Sequence, residues 1–222
     1  MLKFLFINTM IRVLLSKISS AKHSAAAADN YARCKLFPKT PEYDQPEKKL
    51  TSLIGHLMCE KLFFDLNITQ HELETLHQSQ YGKWQFTNSR FDFSISHSHE
   101  YVVVAITDAG RVGVDIEKPR ALRVSPYKDC FTSTEWRKIQ SARNNQQLFF
   151  DYWTKKESLL KAWGFGLQIP LDQVSVEDSI GRIVNTEMEG FFSAIAVPGY
   201  SCCLCSTVEV ETIRFEEFSF EM

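Results

Sequence analysis

The chain has 222 residues, 44% hydrophobic and 13% aromatic, with a formal net charge of −2 and a pI near 6.3. That composition excludes a disordered chain and supplies a core for one large domain or two small ones. The slightly acidic balance leaves no basic footprint for nucleic acid, and no run reaches the roughly 18 apolar residues of a membrane helix.

In chain order, residues 2–15 read as one or two strands. The stretch 1–28 has the composition of a transit peptide, with Lys3, Arg12, Lys17 and Lys22 and no acid before Asp29. Asn8, Thr9 and Arg12 nevertheless break its apolar run as a strand and turn would. A short helix is expected over 25–35, then a loop over 37–46 marked by Pro38, Pro41 and Pro46. Apolar residues at 50, 53, 54, 57, 58 and 62 predict an amphipathic helix over 47–66. Next come a turn at 80–83, a strand at 91–95 with Phe91, Phe93 and Ile95 inward, and polar residues at 96–100. A buried strand at 101–107 and a hairpin turn at 108–111 lead into a strand at 112–116. Helices follow over 134–142 and 149–166, then strands near 174–177, 182–185, 191–197 and 202–210. Helices alternating with antiparallel strands predict an α+β fold, divided into halves 1–108 and 109–222. The six cysteines, at 34, 59, 130, 202, 203 and 205, show no paired CxxC blocks. The cluster of Cys202, Cys203 and Cys205 reads as buried strand residues in a reducing compartment, and the chain as cytoplasmic.

The helix over 149–166 places Phe150, Trp153, Glu157 and Lys161 on one stripe, with Lys155, Lys156 and Ser158 around the other side. An isolated ExxxK is an ordinary ion pair worth under about 1 kcal/mol. Upstream, however, strand alternation in Val112-Gly113-Val114-Asp115-Ile116-Glu117 sends both acids to one face. Alone, that pair reads as a hydrated strand end; with a cation between the carboxylates it suits Mg²⁺. Glu157 adds a third carboxylate and Lys161 an amine, an arrangement fitted to chemistry at phosphate esters, with metal and Lys161 sharing a pyrophosphate. No GxxxxGK[ST] phosphate loop is present, and Gly164-Phe165-Gly166 reads as a helix C-cap. In Ser96-His97-Ser98 the bare reading is a turn after a strand. The functional one is two hydroxyls and a near-neutral imidazole suited to contact with phosphate; a serine hydrolase is the weaker reading, with no acid at a triad spacing.

Taken together, Ser96-His97-Ser98, Gly113-Val114-Asp115-Ile116-Glu117 and Trp153-Thr154-Lys155-Lys156-Glu157-Ser158-Leu159-Leu160-Lys161, in this order, resemble the 4'-phosphopantetheinyl transferases. Tyr81-Gly82-Lys83 and Phe131-Thr132-Ser133-Thr134-Glu135 add weaker matches, and the chain length resembles the monomeric surfactin-synthetase-activating type. The resemblance implies a pseudo-twofold monomer of two similar α+β halves with coenzyme A and Mg²⁺ between them. The implied reaction moves 4'-phosphopantetheine from coenzyme A to a serine of an apo acyl or peptidyl carrier protein, releasing adenosine 3',5'-bisphosphate. By position, Asp115, Glu117 and Glu157 would hold Mg²⁺, and Lys161 would contact the phosphate and assist the leaving group. Ser96 and His97 would contact coenzyme A, Lys83 would sit by the nucleotide, and Lys48 and Lys49 are assigned to the 3'-phosphate. Glu157 or an ordered water would accept the serine proton. Ser94 stands where the family usually has Asn, and Trp84 where it has Pro. Two alternatives stay open: a metal-dependent nuclease or phosphohydrolase, against which the acidic pI counts, and an inactive carrier-protein-binding module.

Overall fold

The computed structural model describes residues 10–18, 36–37 and 46–219, so the helix expected over 25–35 lies outside the described residues. Strand β1 (Met10–Lys17) is followed by α1 (Pro46–Asp65), α2 (Gln70–Leu73), β2 (His77–Gln78), β3 (Trp84–Gln85), β4 (Asp92–Ser98), β5 (Tyr101–Thr107) and β6 (Val112–Glu117). Then come α3 (Ser133–Ser141), α4 (Asn145–Trp163), β7 (Val174–Glu177), β8 (Ile180–Ile183), β9 (Glu189–Ala194), β10 (Ser201–Ser206) and β11 (Thr212–Glu217). The two helices of the second half have sharp ends. Thr132 and Glu135 form a capping box at the start of α3, and α4 stops at Gly164, whose φ of 77° is the left-handed cap that glycine adopts freely.

Two sheets organise these elements, with strand orders β11-β1-β5-β4 and β6-β10-β9-β8-β7; β2 and β3 form a separate ribbon. On the outer face of the first sheet, Ile54, Met58 and Leu62 of α1 pack on Phe93, Val102 and Val104. Between the sheets, Ile11, Val13, Val103 and Ala105 meet Val112, Val114, Ile116 and Leu204. On the far face, Leu159 and Leu160 of α4 cover Phe192, Cys203 and Cys205. The molecule is therefore an α+β stack of helix, sheet, sheet and helix, with antiparallel pairing throughout except between β1 and β11, which run parallel.

Four local readings change. Residues 108–111 do not close a hairpin, because β5 and β6 belong to different sheets; both strands are apolar on the face they turn toward each other, and the chain folds over to stack them. Ser96, His97 and Ser98 lie inside β4, paired with Val103, Val102 and Tyr101. The strand read near 182–185 sits at 180–183, and β11 is a strand the sequence reading lacks. β11 returns to the first sheet, so the two sheets do not partition the chain at residue 108.

Candidate active site

Alternation along β6 places Val114 and Ile116 in the layer between the sheets and turns Gly113, Asp115 and Glu117 toward α4. Gly113 makes the approach possible. A Cβ there would lie 1.9 Å from the Ser158 carbonyl oxygen and 2.5 Å from the Ala162 nitrogen, so helix backbone rests on strand backbone where only glycine fits. That contact carries Lys161 to Asp115, with its Nζ 2.6 Å from Oδ1. Ser96 completes the cluster: its hydroxyl donates to Asp115 Oδ1 at 2.9 Å and accepts from Lys161 Nζ at 3.0 Å. Ser98 donates to Glu117 Oε2 at 3.0 Å.

Burial, followed by the charge of Asp115, raises the carboxyl pKa of both Glu117 and Glu157. Lys161 acts against both shifts, so the three acids and the lysine share one electrostatic neighbourhood. Asp115 Oδ2 is buried with no hydrogen-bond partner. An orphan acceptor beside two carboxyls that resist ionisation is a donor set suited to a hard divalent cation. Among the described residues no three acid, histidine or cysteine side chains already converge as a cation cage; the Lys161 ammonium lies against Asp115 instead. The residue types fit Mg²⁺, and Asp115, Glu117 and Glu157 are the groups that would hold it.

Glu157 and Lys161 form one wall of a cleft of about 230 Å³. Tyr81, Gly82 and Lys83 of the β2–β3 turn, Trp84 of β3, Phe93, Ser94 and Ile95 of β4, and Gly164 and Gly166 after α4 supply the rest. A second cavity of about 90 Å³ opens from Glu117 along Phe150 and Trp153, so the stripe of α4 faces both cavities. His97 projects from β4 on the side opposite Ser96. Packing around the imidazole lowers its pKa, Lys161 and Lys48 lower it further, and Asp115 opposes them. Lys48 and Lys49 are exposed on the first turns of α1.

Residues 111–205 match the model of the 4'-phosphopantetheinyl transferase superfamily. The chain is 32% identical over 162 residues to the 4'-phosphopantetheinyl transferase gsp of Aneurinibacillus migulanus, covering 70% of this chain and 68% of that protein. The chain belongs to the 4'-phosphopantetheinyl transferase superfamily. It is also 32% identical over 138 residues to the 4'-phosphopantetheinyl transferase Sfp of Bacillus subtilis, covering 56% of this chain and 61% of that one. Against the L-aminoadipate-semialdehyde dehydrogenase-phosphopantetheinyl transferase of Xenopus laevis the identity is 34% over 153 residues, 60% of this chain and 51% of that one. The segment matching the superfamily holds Asp115, Glu117, Glu157 and Lys161, whereas Lys48, Lys49, Lys83, Ser96 and His97 precede it.

Two lysines make their hydrogen bonds within the protein, Lys83 from the wall of the cleft and Lys156 from the core. Lys83 donates to Asp92 Oδ2 at 2.6 Å and to the carbonyls of Val112 and Ala162, each at 3.2 Å. Its three N–H donors are thus used within the fold, tying the β2–β3 turn to β4, β6 and the end of α4. Lys156 does not lie on an outer face of its helix: it is fully buried, 2.7 Å from Glu135 Oε2 and bonded to the carbonyls of Leu171 and Val174. The structure also brings in residues that the sequence reading left without a role. Asp92, Ser94 and Gly113 hold the strands that carry the acids; the small polar residues at every second position from 92 to 98 stand in the sequence, but the β6 N–H groups they accept from do not.

Proposed function

We propose that this protein transfers 4'-phosphopantetheine from coenzyme A to a serine of an apo acyl or peptidyl carrier protein, with Mg²⁺ as cofactor. The observation that carries the reading is the Asp115–Lys161–Ser96 cluster, with Asp115 Oδ2 unpartnered and Glu117 and Glu157 beside it, at the rim of a cleft. In this reading the cleft takes the nucleotide end of coenzyme A. The exposed ammoniums of Lys48 and Lys49 at the start of α1 receive the 3'-phosphate, and His97 contacts the phosphates. Lys83 and Ser96 serve from behind, Lys83 by fixing the turn that forms the cleft wall and Ser96 by holding Asp115 against Lys161.

The bond that breaks is the pyrophosphate P–O bond, and the bond that forms joins the carrier serine oxygen to the phosphorus of the pantetheine phosphate. The serine proton leaves to Glu157 or a water it orders, and Lys161 stabilises charge gathering on the departing adenosine 3',5'-bisphosphate. Bound Mg²⁺ would supply charge neutralisation to the pyrophosphate, and Asp115, Glu117 and Glu157 are the residues that would hold it. The free thiols of Cys130, Cys202, Cys203 and Cys205 support a reducing, cytoplasmic setting, and among the described residues no helix is long and apolar enough to cross a membrane. We take the working unit to be a monomer, since both sheets and the whole cluster come from one chain. Incubation with coenzyme A, Mg²⁺ and a panel of apo carriers, followed by intact-mass measurement, should show one phosphopantetheine added to at least one carrier. A panel left entirely unmodified would overturn the proposal.

A further inference from the structure

The outer edge of β6 presents N–H groups that the second sheet does not use, and they are buried against β4. Backbone donors in that position need acceptors. β4 belongs to the other sheet and offers none of its carbonyls; its side chains accept instead. Val112 N–H donates to Asp92 Oδ2 at 2.8 Å, Val114 N–H to Ser94 Oγ at 3.1 Å, Ile116 N–H to Ser96 Oγ at 3.4 Å, and Lys118 N–H to Ser98 Oγ at 3.1 Å. Every second residue of β4 meets every second residue from Val112 to Lys118, along β6 and just past its end, at a constant offset. Four side chains thus take the place of a backbone ladder and set the register of one sheet on the other.

The last two rungs do more. A serine hydroxyl has one proton and two lone pairs, so with a lone pair given to the N–H of one β6 residue, the proton is left for a neighbouring acceptor. Ser96 gives it to Asp115, the residue before Ile116. Ser98 gives it to Glu117, the residue before Lys118, and also lies 3.5 Å from His99 Nδ1. Ser98 is 7% exposed and does not line the cleft of Glu157 and Lys161. Its hydroxyl is turned toward the carboxylate and away from any ligand in that cleft.

We infer that Ser98 is a positioning residue for Glu117: its hydroxyl locks the strand register through Lys118 N–H and, in the same act, fixes the carboxylate that faces the metal. This rests on the reading of Glu117 as a metal ligand. Partners that orient a ligand typically matter about ten- to a hundred-fold in metal affinity or activity, and Ser98 should fall in that range. The test is Mg²⁺ titration by calorimetry of the wild type, Ser98→Ala and Ser98→Thr, alongside the KM for coenzyme A and thermal melting in chelator. Ser98→Ala should bind Mg²⁺ about ten-fold or more weakly with an unchanged KM for coenzyme A, and Ser98→Thr, which keeps the hydroxyl, should recover most of the affinity. A purely structural serine would instead lower the melting temperature and leave metal affinity alone, which overturns the inference. So does a rise confined to the KM for coenzyme A, the result expected of a ligand contact. If the wild type itself binds no Mg²⁺, the metal reading falls and this inference with it. If the wild type binds Mg²⁺ and Ser98→Ala binds it equally well, only the inference falls.

Discussion

Lys156 and Glu135 show how much a single buried charge decides. The lysine lies beneath the surface of α4, and burial depresses its pKa while Glu135 opposes the shift. Glu135 also accepts from Thr132 N–H and Val176 N–H, so the pair joins α3, α4 and β7. Removing one member of such a pair strands the other. Lys156→Met should cost about 3–5 kcal/mol in urea denaturation, and adding Glu135→Gln should recover part of that loss by deleting the stranded charge. An unchanged denaturation midpoint would show that the pair is not holding these elements. His56 is the complementary case, a neutral group that must stay neutral. Its ring stacks on Phe37 at 4.0 Å, and burial holds its pKa at about 4, against 6.5 in the free state. The unfolded chain binds the proton first, so this contribution is intact above pH 6.5 and is lost as pH falls toward 4. At pH 5 the loss is about 2 kcal/mol. Comparing urea midpoints at pH 7 and pH 5 for wild type and His56→Phe should show a smaller acid-induced drop in the variant. Equal drops would refute the assignment.

At the scale of elements, the contact of α4 with β6 places the chemistry. Asp115 and Glu117 are fixed by strand alternation and Lys161 by helical phase, but the distance between them depends on Gly113. Gly113→Ala drives a Cβ into the Ser158 carbonyl and the Ala162 nitrogen, which are backbone atoms that cannot swing aside. The helix must lift or slide. The cost should reach about 3 kcal/mol or more, equivalent to a fall in melting temperature of roughly 6–12 °C in a chain of this size. Transfer activity should fall further than stability alone accounts for, because Lys161 is displaced from Asp115. A variant that melts with the wild type would show that α4 rests elsewhere. These relations were partly legible in the sequence, since the period of β6 and the capping signals around α3 and α4 are local properties. The serine ladder was not. Serines at alternate positions followed by His99 and Glu100 look like a turn until a second strand supplies N–H donors for them to accept, and that strand lies some twenty residues away with no sequence mark of the pairing. Lys156 escaped for a related reason, because a lysine in a helix reads as solvated unless its buried acid and carbonyl partners are known.

At the scale of the whole molecule, β11 makes the two sheets mutually dependent. The chain crosses from the first sheet to the second between β5 and β6, builds all five strands of the second, then returns to lie parallel to β1. Nothing in 212–217 announces that destination: the strand alternates weakly, and most of its residues are exposed. Register against a partner two hundred residues away is a tertiary choice, set by the open edge of β1 and by Arg12, whose guanidinium bridges Asp65 of α1 at 2.8 Å and Glu216 of β11 at 2.9 Å. A chain ending at Val210 should therefore do more than lose a tail. It exposes the backbone edge of β1 to self-association, takes one carboxylate from Arg12, and loses on the order of 1 kcal/mol for each backbone hydrogen bond of the ladder. The truncated protein should melt several degrees lower and aggregate in proportion to its concentration. A synthetic peptide spanning 211–222 should restore the melting temperature by adding back the strand. Dividing the chain at residue 108 should fail for the same reason, leaving the first fragment without β11 and the second with a strand that has no sheet. If the truncated chain melts with the wild type and stays dispersed, β11 is dispensable and the two halves are more independent than their pairing implies.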